Sequence, residues 1–297
     1  AVLCLFEGVV TGAADGYGRM ADKPALTLLH LGPGFANGIA NLHNAQRAHS
    51  PILNMVGDHA TDHLQHDAPL TSDIRGMATP VSQSFSVSPN AEGLAQTGLQ
   101  ALSDSQSYPG SISTFVVPAD HAWTAIAPPI THLPGITTAR ASDETIAAVA
   151  EQLRGAQHSA LFLGGRALRA EALYQAGRIA AATGCRLVTE TFFARQARGI
   201  GRVVTERLAY FGEMAVEQLA GLDTLVLVGA KAPVSFFAYP DKPSVLSPDT
   251  ADLSTLVDVR IDALDALTRL ADLLDAPAQP VTASAQAAHP LTDGKID

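Results

Sequence analysis

Short aliphatic runs alternate with alanine-rich helical stretches along this whole sequence, and that alternation leaves few folds open. The runs at 25–30, 51–57, 159–163, 186–189 and 223–228 have the length and composition of strands covered on both faces. Between them, 8–20, 35–48, 142–155, 168–183 and 213–220 have the length and apolar spacing of helices. Strand, helix and strand in repeated succession give parallel sheets with helices on both sides. The fold class expected is therefore α/β, with two three-layer parallel-sheet domains, the second Rossmann-like. The opening apolar run 1–6 reads as a buried strand. A long polar loop follows residue 57, and 111–117 is the last strand of the first domain, closed by Pro118. Pro128, Pro129 and Pro134 mark a linker, and a final strand at 255–260 precedes a helix at 263–274. The domains expected are 1–124 and 142–276, joined by a linker at 125–141 and followed by a second linker at 277–297.

Composition narrows the function. With 297 residues, 47% of them hydrophobic, the chain can fill two ordinary cores. A net charge of -10 offers no field for phosphates of nucleic acid or for an anionic membrane surface. No apolar run approaches the roughly 18 residues of a membrane span. Cys4 and Cys185 are too few and too far apart for a disulfide framework or a CxxC metal site, which suits a reducing cytoplasm. The sequence opens inside an apolar run without Met, so further chain is expected before it, and a leader peptide is not readable here.

Two motifs carry candidate chemistry. In Leu5-Phe6-Glu7-Gly8-Val9-Val10-Thr11-Gly12-Ala13-Ala14-Asp15-Gly16-Tyr17-Gly18-Arg19, Glu7 stands where the apolar run passes into a helix of small residues. A carboxylate there complements the positive end of the helix. Flanked by Leu5, Phe6, Val9 and Val10, it is also expected to be poorly solvated, a setting that suits a proton donor or acceptor. The small-residue helix further permits close packing against another chain. The second motif, Leu28-Leu29-His30-Leu31-Gly32-Pro33-Gly34-Phe35-Ala36-Asn37-Gly38, reads as a strand, a glycine turn and a helix start, able to bring backbone N–H groups close to a ligand. His30 at the strand end is either a core residue or a proton carrier. Farther on, His59 and His63 have zinc-compatible spacing if helical, but among Asp58, Asp62 and Asp67 a solvated loop is the favoured reading. In the second half, Gly164-Gly165 and Gly229-Ala230 end strands as Rossmann-like domains do.

The order of Glu7, Ala14-Asp15-Gly16-Tyr17, Lys23-Pro24 and a following strand resembles the pyrimidine-binding domain of thiamine diphosphate enzymes, the acetolactate synthase and benzoylformate decarboxylase superfamily. The resemblance is strongest over 5–57 and looser in the second half. It implies that Glu7 is catalytic, hydrogen-bonding the aminopyrimidine so that the cofactor's C2 proton is removed and the resulting carbon nucleophile attacks a 2-oxo acid. Gly32-Pro33-Gly34 followed by Ala36-Asn37 is similar to the family loop that lies against the pyrimidine, which makes Gly32, Pro33, Gly34 and Asn37 cofactor-binding residues. His30 stands where decarboxylase-like relatives place a catalytic histidine, and Ala48-His49-Ser50-Pro51 is decarboxylase-like as well.

Where acetolactate synthases carry Phe-Gln-Glu, this sequence has Pro69-Leu70-Thr71, so acetolactate formation itself is not implied. The stretch 232–240 is closer to flavin-free relatives, so FAD is permitted by the domain type and not expected. The family's Gly-Asp-Gly motif for Mg²⁺ is absent; Asp15-Gly16 with Asn41 mimics its spacing but belongs to the Glu7 helix. The resemblance thus implies decarboxylation of a 2-oxo acid with an option of carboligation, thiamine diphosphate and Mg²⁺ as cofactors, and a homodimer or homotetramer. The metal would be held by a further domain outside this sequence, without which the chain would be inactive. A different class of reading is an FAD- or NAD-binding module without thiamine chemistry, and another is a catalytically silent family member retained for assembly.

Overall fold

The computed structural model describes residues 1–129 and 131–283. Contacts divide the chain into two units, the first formed by Ala1–Ala139 with Arg260–Asp262, the second by Arg140–Val259 and the chain from Ala263 onward. Each is built around a parallel sheet, as the alternation of apolar and helical stretches dictates.

In the first unit, β1 (Ala25–His30), β2 (Ile52–Asp58), β3 (Ser84–Val87) and β4 (Ile112–Pro118) form a four-stranded sheet in the order β1-β2-β4-β3. Helices α1 (Glu7–Ala21) and α2 (Leu31–Arg47) cover one face, where Leu29, Phe35, Leu42, Ile52, Val56, Ile112 and Val116 share a core. Helix α4 (Leu94–Gln106), followed after β4 by the short helix α5 (Ala119–Trp123), covers the other through Leu53, Ala101 and Phe115. It does not serve β1, whose Leu26 and Leu28 on that face are exposed while Thr27 and Leu29 are buried.

A polar ladder crosses the core. Thr27 Oγ1 donates to Asn54 Oδ1 at 2.7 Å, and Asn54 Nδ2 donates to Thr114 Oγ1 at 3.1 Å. The three residues are register partners on β1, β2 and β4, so each buried polar group is satisfied by its direct neighbour.

The second unit holds β5 (Ser159–Leu163), β6 (Arg186–Thr189), β7 (Glu206–Arg207), β8 (Thr224–Val228) and β9 (Asp252–Val257), ordered β7-β6-β5-β8-β9 and all parallel. Helix α8 (Gly212–Leu219) packs Ala215 and Leu219 on one face with Phe162, Val188, Leu225 and Leu227. Helices α6 (Asp143–Gly155), α7 (Ala170–Thr183) and α9 (Ala263–Leu273) take the other. Ser142 caps α6 by accepting the Thr145 N–H at 3.1 Å.

Several expectations need correction. The run 1–6 is not a strand: it is irregular, and Val2, Leu3 and Leu5 are almost fully exposed. An apolar run can be buried only where a neighbouring layer reaches it, and none does here. The stretch after β2 is not one loop, since it holds the short helix α3 (Ile74–Ala78), β3 and α4. The helix expected at 35–48 begins four residues earlier, and the strand expected at 255–260 lies at Asp252–Val257. Residues 284–297, in the expected second linker, lie outside the described residues.

Candidate functional site

Parallel α/β sheets bind ligands beyond the carboxyl ends of their strands. In the first unit that edge is His30, Asp58 and Pro118, with His30 paired in register to Gly57. The chain turns from β1 into α2 at a single residue, Leu31, whose φ is +55°. A leucine in the left-handed region costs about 1–2 kcal/mol and is held there by its surroundings; here its side chain is buried. Helix α2 therefore starts at Leu31, and Gly32, Pro33 and Gly34 form its first turn instead of a loop ahead of it. Pro33 is tolerated because first-turn N–H groups have no helical partner.

Helix α1 is pressed against α2 by small residues. Thr11 Oγ1 donates to the Gly38 carbonyl at 3.0 Å, and Asn41 Nδ2 donates to the Gly8 carbonyl at 2.7 Å. A Cβ on Gly38 would stand 2.8 Å from Thr11 Cγ2, so the helix spacing depends on that glycine. Glu7, the first residue of α1, is thereby laid over the start of α2. Its Oε2 accepts from Asn37 Nδ2 at 3.1 Å. A Cβ on Gly34 would stand 3.3 Å from Glu7 Oε1 and 3.6 Å from His30 Cβ. Gly34 is thus the point where Glu7 and His30 meet, and the absent side chain is what admits the carboxylate.

The sequence-derived residues divide by role. Glu7 is half-buried, while His30, Pro33 and Asn37 are exposed. Gly32 and Gly34 are buried behind them. The space above Gly32 is already filled, because a Cβ there would collide with Ser72 at 2.2 Å. The apolar neighbours expected to shield Glu7 do not do so within this chain: Leu5, Phe6 and Val9 are themselves exposed. His30 is not a core residue, since strand β1 buries Thr27 and Leu29 and leaves His30 outside.

Asp15 and Asn41, which mimic a metal spacing, are engaged otherwise. Asp15 accepts from Arg19 Nε at 2.8 Å and from Ser50 Oγ, and Asn41 holds Gly8. The His59, His63 and His66 rings pack against one another at a tilt of 56°, with centroids 5.4 and 5.6 Å apart. Among the described residues no three His, Cys, Asp or Glu side chains are grouped to hold a metal ion. No helix among them is long and apolar enough to cross a membrane.

One titratable group was missed in the sequence. Glu190, directly after β6, lies against the glycine pair Gly164-Gly165 after β5. Burial pushes its carboxyl up to about 7, against the opposing pull of the Gly165 N–H and Lys231. An acidic residue closing the second strand of a strand–helix–strand unit was the available signal.

Residues 1–79 match the thiamine pyrophosphate enzyme N-terminal TPP binding domain family, and the chain has acetolactate synthase-like and benzoylformate decarboxylase-like relatives. A Mycobacterium tuberculosis protein provisionally named acetolactate synthase large subunit IlvX is 46% identical over 272 residues, 91% of this chain and 52% of that protein. Benzoylformate decarboxylase of Pseudomonas aeruginosa is 35% identical over 71 residues, 24% of this chain and 13% of that one. The fold matches that of the thiamine diphosphate-dependent 4-hydroxybenzoylformate decarboxylase of Rhodococcus jostii with a TM-score of 0.78 at 21% identity, covering 99% of this chain and 59% of that one. The chain spans about half the length of IlvX.

Proposed function

We propose that the first unit is the pyrimidine-contacting part of a thiamine diphosphate-dependent enzyme that decarboxylates a 2-oxo acid, with Glu7 as its proton-transferring carboxylate. One arrangement carries the reading: Glu7 is fixed at the start of α1, with Oε2 held by Asn37 and Oε1 lying over Gly34, where His30 also arrives. The residues fit the group, because a glycine at 34 keeps bulk away from the carboxylate oxygen that a flat heteroaromatic ring must approach.

When bound, the cofactor supplies the carbon nucleophile and the sink for the electron pair left by carbon dioxide. The chain's own residues act on protons and position. Glu7 would share a proton with a ring nitrogen of the aminopyrimidine, and Asn37, donating to Oε2, fixes the orientation of the carboxylate. Pro33 and Gly34 would line the ring from the first turn of α2, while Gly32, covered by Ser72, would act only by shaping that turn. His30, exposed at the strand end, holds a proton for the substrate or for the product carbon. Leu70, where synthases use glutamine, has no amide to offer an acceptor, which supports release of an aldehyde over acetolactate formation. Mg²⁺ would sit at the diphosphate, away from these residues, and the working form is a homodimer or homotetramer.

The test is Glu7→Gln in the full-length protein, followed by deuterium exchange at C2 of bound thiamine diphosphate. Exchange should slow by about 10²-fold or more, the usual contribution of a positioned acid–base group. Near-normal exchange in a folded variant would sink the assignment.

A further inference from the structure

The second unit has the topology of a dinucleotide-binding domain. Strand order β7-β6-β5-β8-β9 reverses direction between β5 and β8, and the crevice beyond such a switch point is where these sheets take a nucleotide's phosphates. Both strands end in glycine, Gly164 after β5 and Gly229 after β8, as a phosphate-binding turn requires.

The space those glycines provide is already taken. A Cβ on Gly164 would meet Glu190 Oε2 at 2.5 Å and the Gly229 carbonyl oxygen at 2.8 Å. A Cβ on Gly229, whose φ is +63°, would meet the Gly164 carbonyl oxygen at 2.9 Å. The backbones are tied as well, with Gly164 N–H donating to the Val228 carbonyl at 3.0 Å and Gly229 N–H to the Val257 carbonyl at 2.9 Å. The Gly165 N–H, the donor a phosphate would use, lies near enough to Glu190 to oppose the upward push on its carboxyl.

We infer that Glu190 is the built-in occupant of the switch-point crevice, and that it excludes flavin and nicotinamide dinucleotides from a domain whose topology would otherwise accept them. The inference does not depend on the role of Glu7. Two coincident observations carry it: a carboxylate oxygen in the volume the glycine leaves, and strand ends in mutual backbone contact. The half-burial of Glu190 agrees with this, since its carboxyl is poorly solvated there. A diphosphate could enter only by expelling Glu190, and the displaced carboxylate would remain beside it as a like charge.

The test is titration of the chain with FAD, read by quenching of flavin fluorescence, for the wild-type, Glu190→Ala and Glu190→Gln proteins, with circular dichroism confirming each fold. Wild type should show no saturable binding up to about 100 μM. Glu190→Ala, which empties the crevice, should bind FAD at least tenfold more tightly than wild type. Glu190→Gln, which fills the same space without charge, should stay closed. Micromolar FAD binding by wild type overturns the proposal, as does an alanine variant no better than wild type. Binding to the glutamine variant as tight as to the alanine variant overturns it too, because filling would then not be the cause.

Discussion

Glu190→Gln should flatten the acid-to-neutral stability profile of the second unit. The wild-type carboxyl titrates at about 7 in the folded protein against an ordinary value of 4.5. Below 4.5 folded and unfolded forms both carry the proton, and burial costs nothing. Between 4.5 and 7 the unfolded form ionises while the folded form holds its proton, so stability falls as pH rises; above 7 both are ionised and the deficit stays constant. Each tenfold difference in proton affinity is worth about 1.4 kcal/mol, so the full deficit is about 3 kcal/mol. Between pH 5 and pH 8 it should grow by about 2–3 kcal/mol. Glutamine has no such titration and keeps an oxygen able to accept the Gly165 N–H. Urea unfolding of both proteins, followed by far-ultraviolet circular dichroism from pH 5 to pH 8, measures the gap. The glutamine variant should gain steadily on wild type over that range. Parallel profiles would show that the carboxyl is solvated in the folded state, and the reasoning would fail.

His30→Ala in the full-length protein should slow decarboxylation by about 10²-fold with thiamine diphosphate affinity and melting temperature unchanged; His30 is exposed, so a variant that instead unfolds with normal specific activity points to a purely structural residue. Asn54→Ala strands Thr27 Oγ1 in the core, while Thr114 Oγ1 keeps Ser82 Oγ, and should lower the stability of the first unit by about 1–3 kcal/mol. A change below about 0.5 kcal/mol in its free energy of unfolding by urea would mean that the ladder contributes nothing to stability.

Much of the fold is legible in the chain itself. Strands at 25–30, 159–163 and 186–189 coincide with the apolar runs because Pro24, Gly164 and Gly184 punctuate them. Ser84–Val87 is too short and too polar for such a signal, and α4, rich in Gln and Ser, buries only Ala101, Ser103 and Ser105. The start of α2 escaped for another reason. Sequence reasoning places chain reversals at glycine, whereas the left-handed residue is Leu31, and nothing in a leucine announces positive φ. At the site, the order of Glu7, His30, Gly34 and Asn37 along the chain was readable, while the Glu7–Asn37 bond follows from the α1–α2 spacing set by Thr11 and Gly38. The shielding of Glu7 was misread because apolar neighbours in sequence need not face the side chain between them. Glu190 stayed hidden because its partner glycines are distant in sequence and meet it only across the sheet.

The ladder of Thr27, Asn54 and Thr114 acts as a vernier for the whole strand edge. A slip of two residues between β1 and β2 would keep every side chain on its own face, so aliphatic packing alone resists it weakly. With the ladder in place the same slip sets the Asn54 amide against Ala25 or Leu29, and a buried polar group is left unanswered. His30 stands three residues beyond Thr27, about 10 Å along the strand. Its alignment with Gly57, and with it the place where α2 begins beneath Glu7, is therefore set by an amide deep in the sheet that no ligand would ever touch.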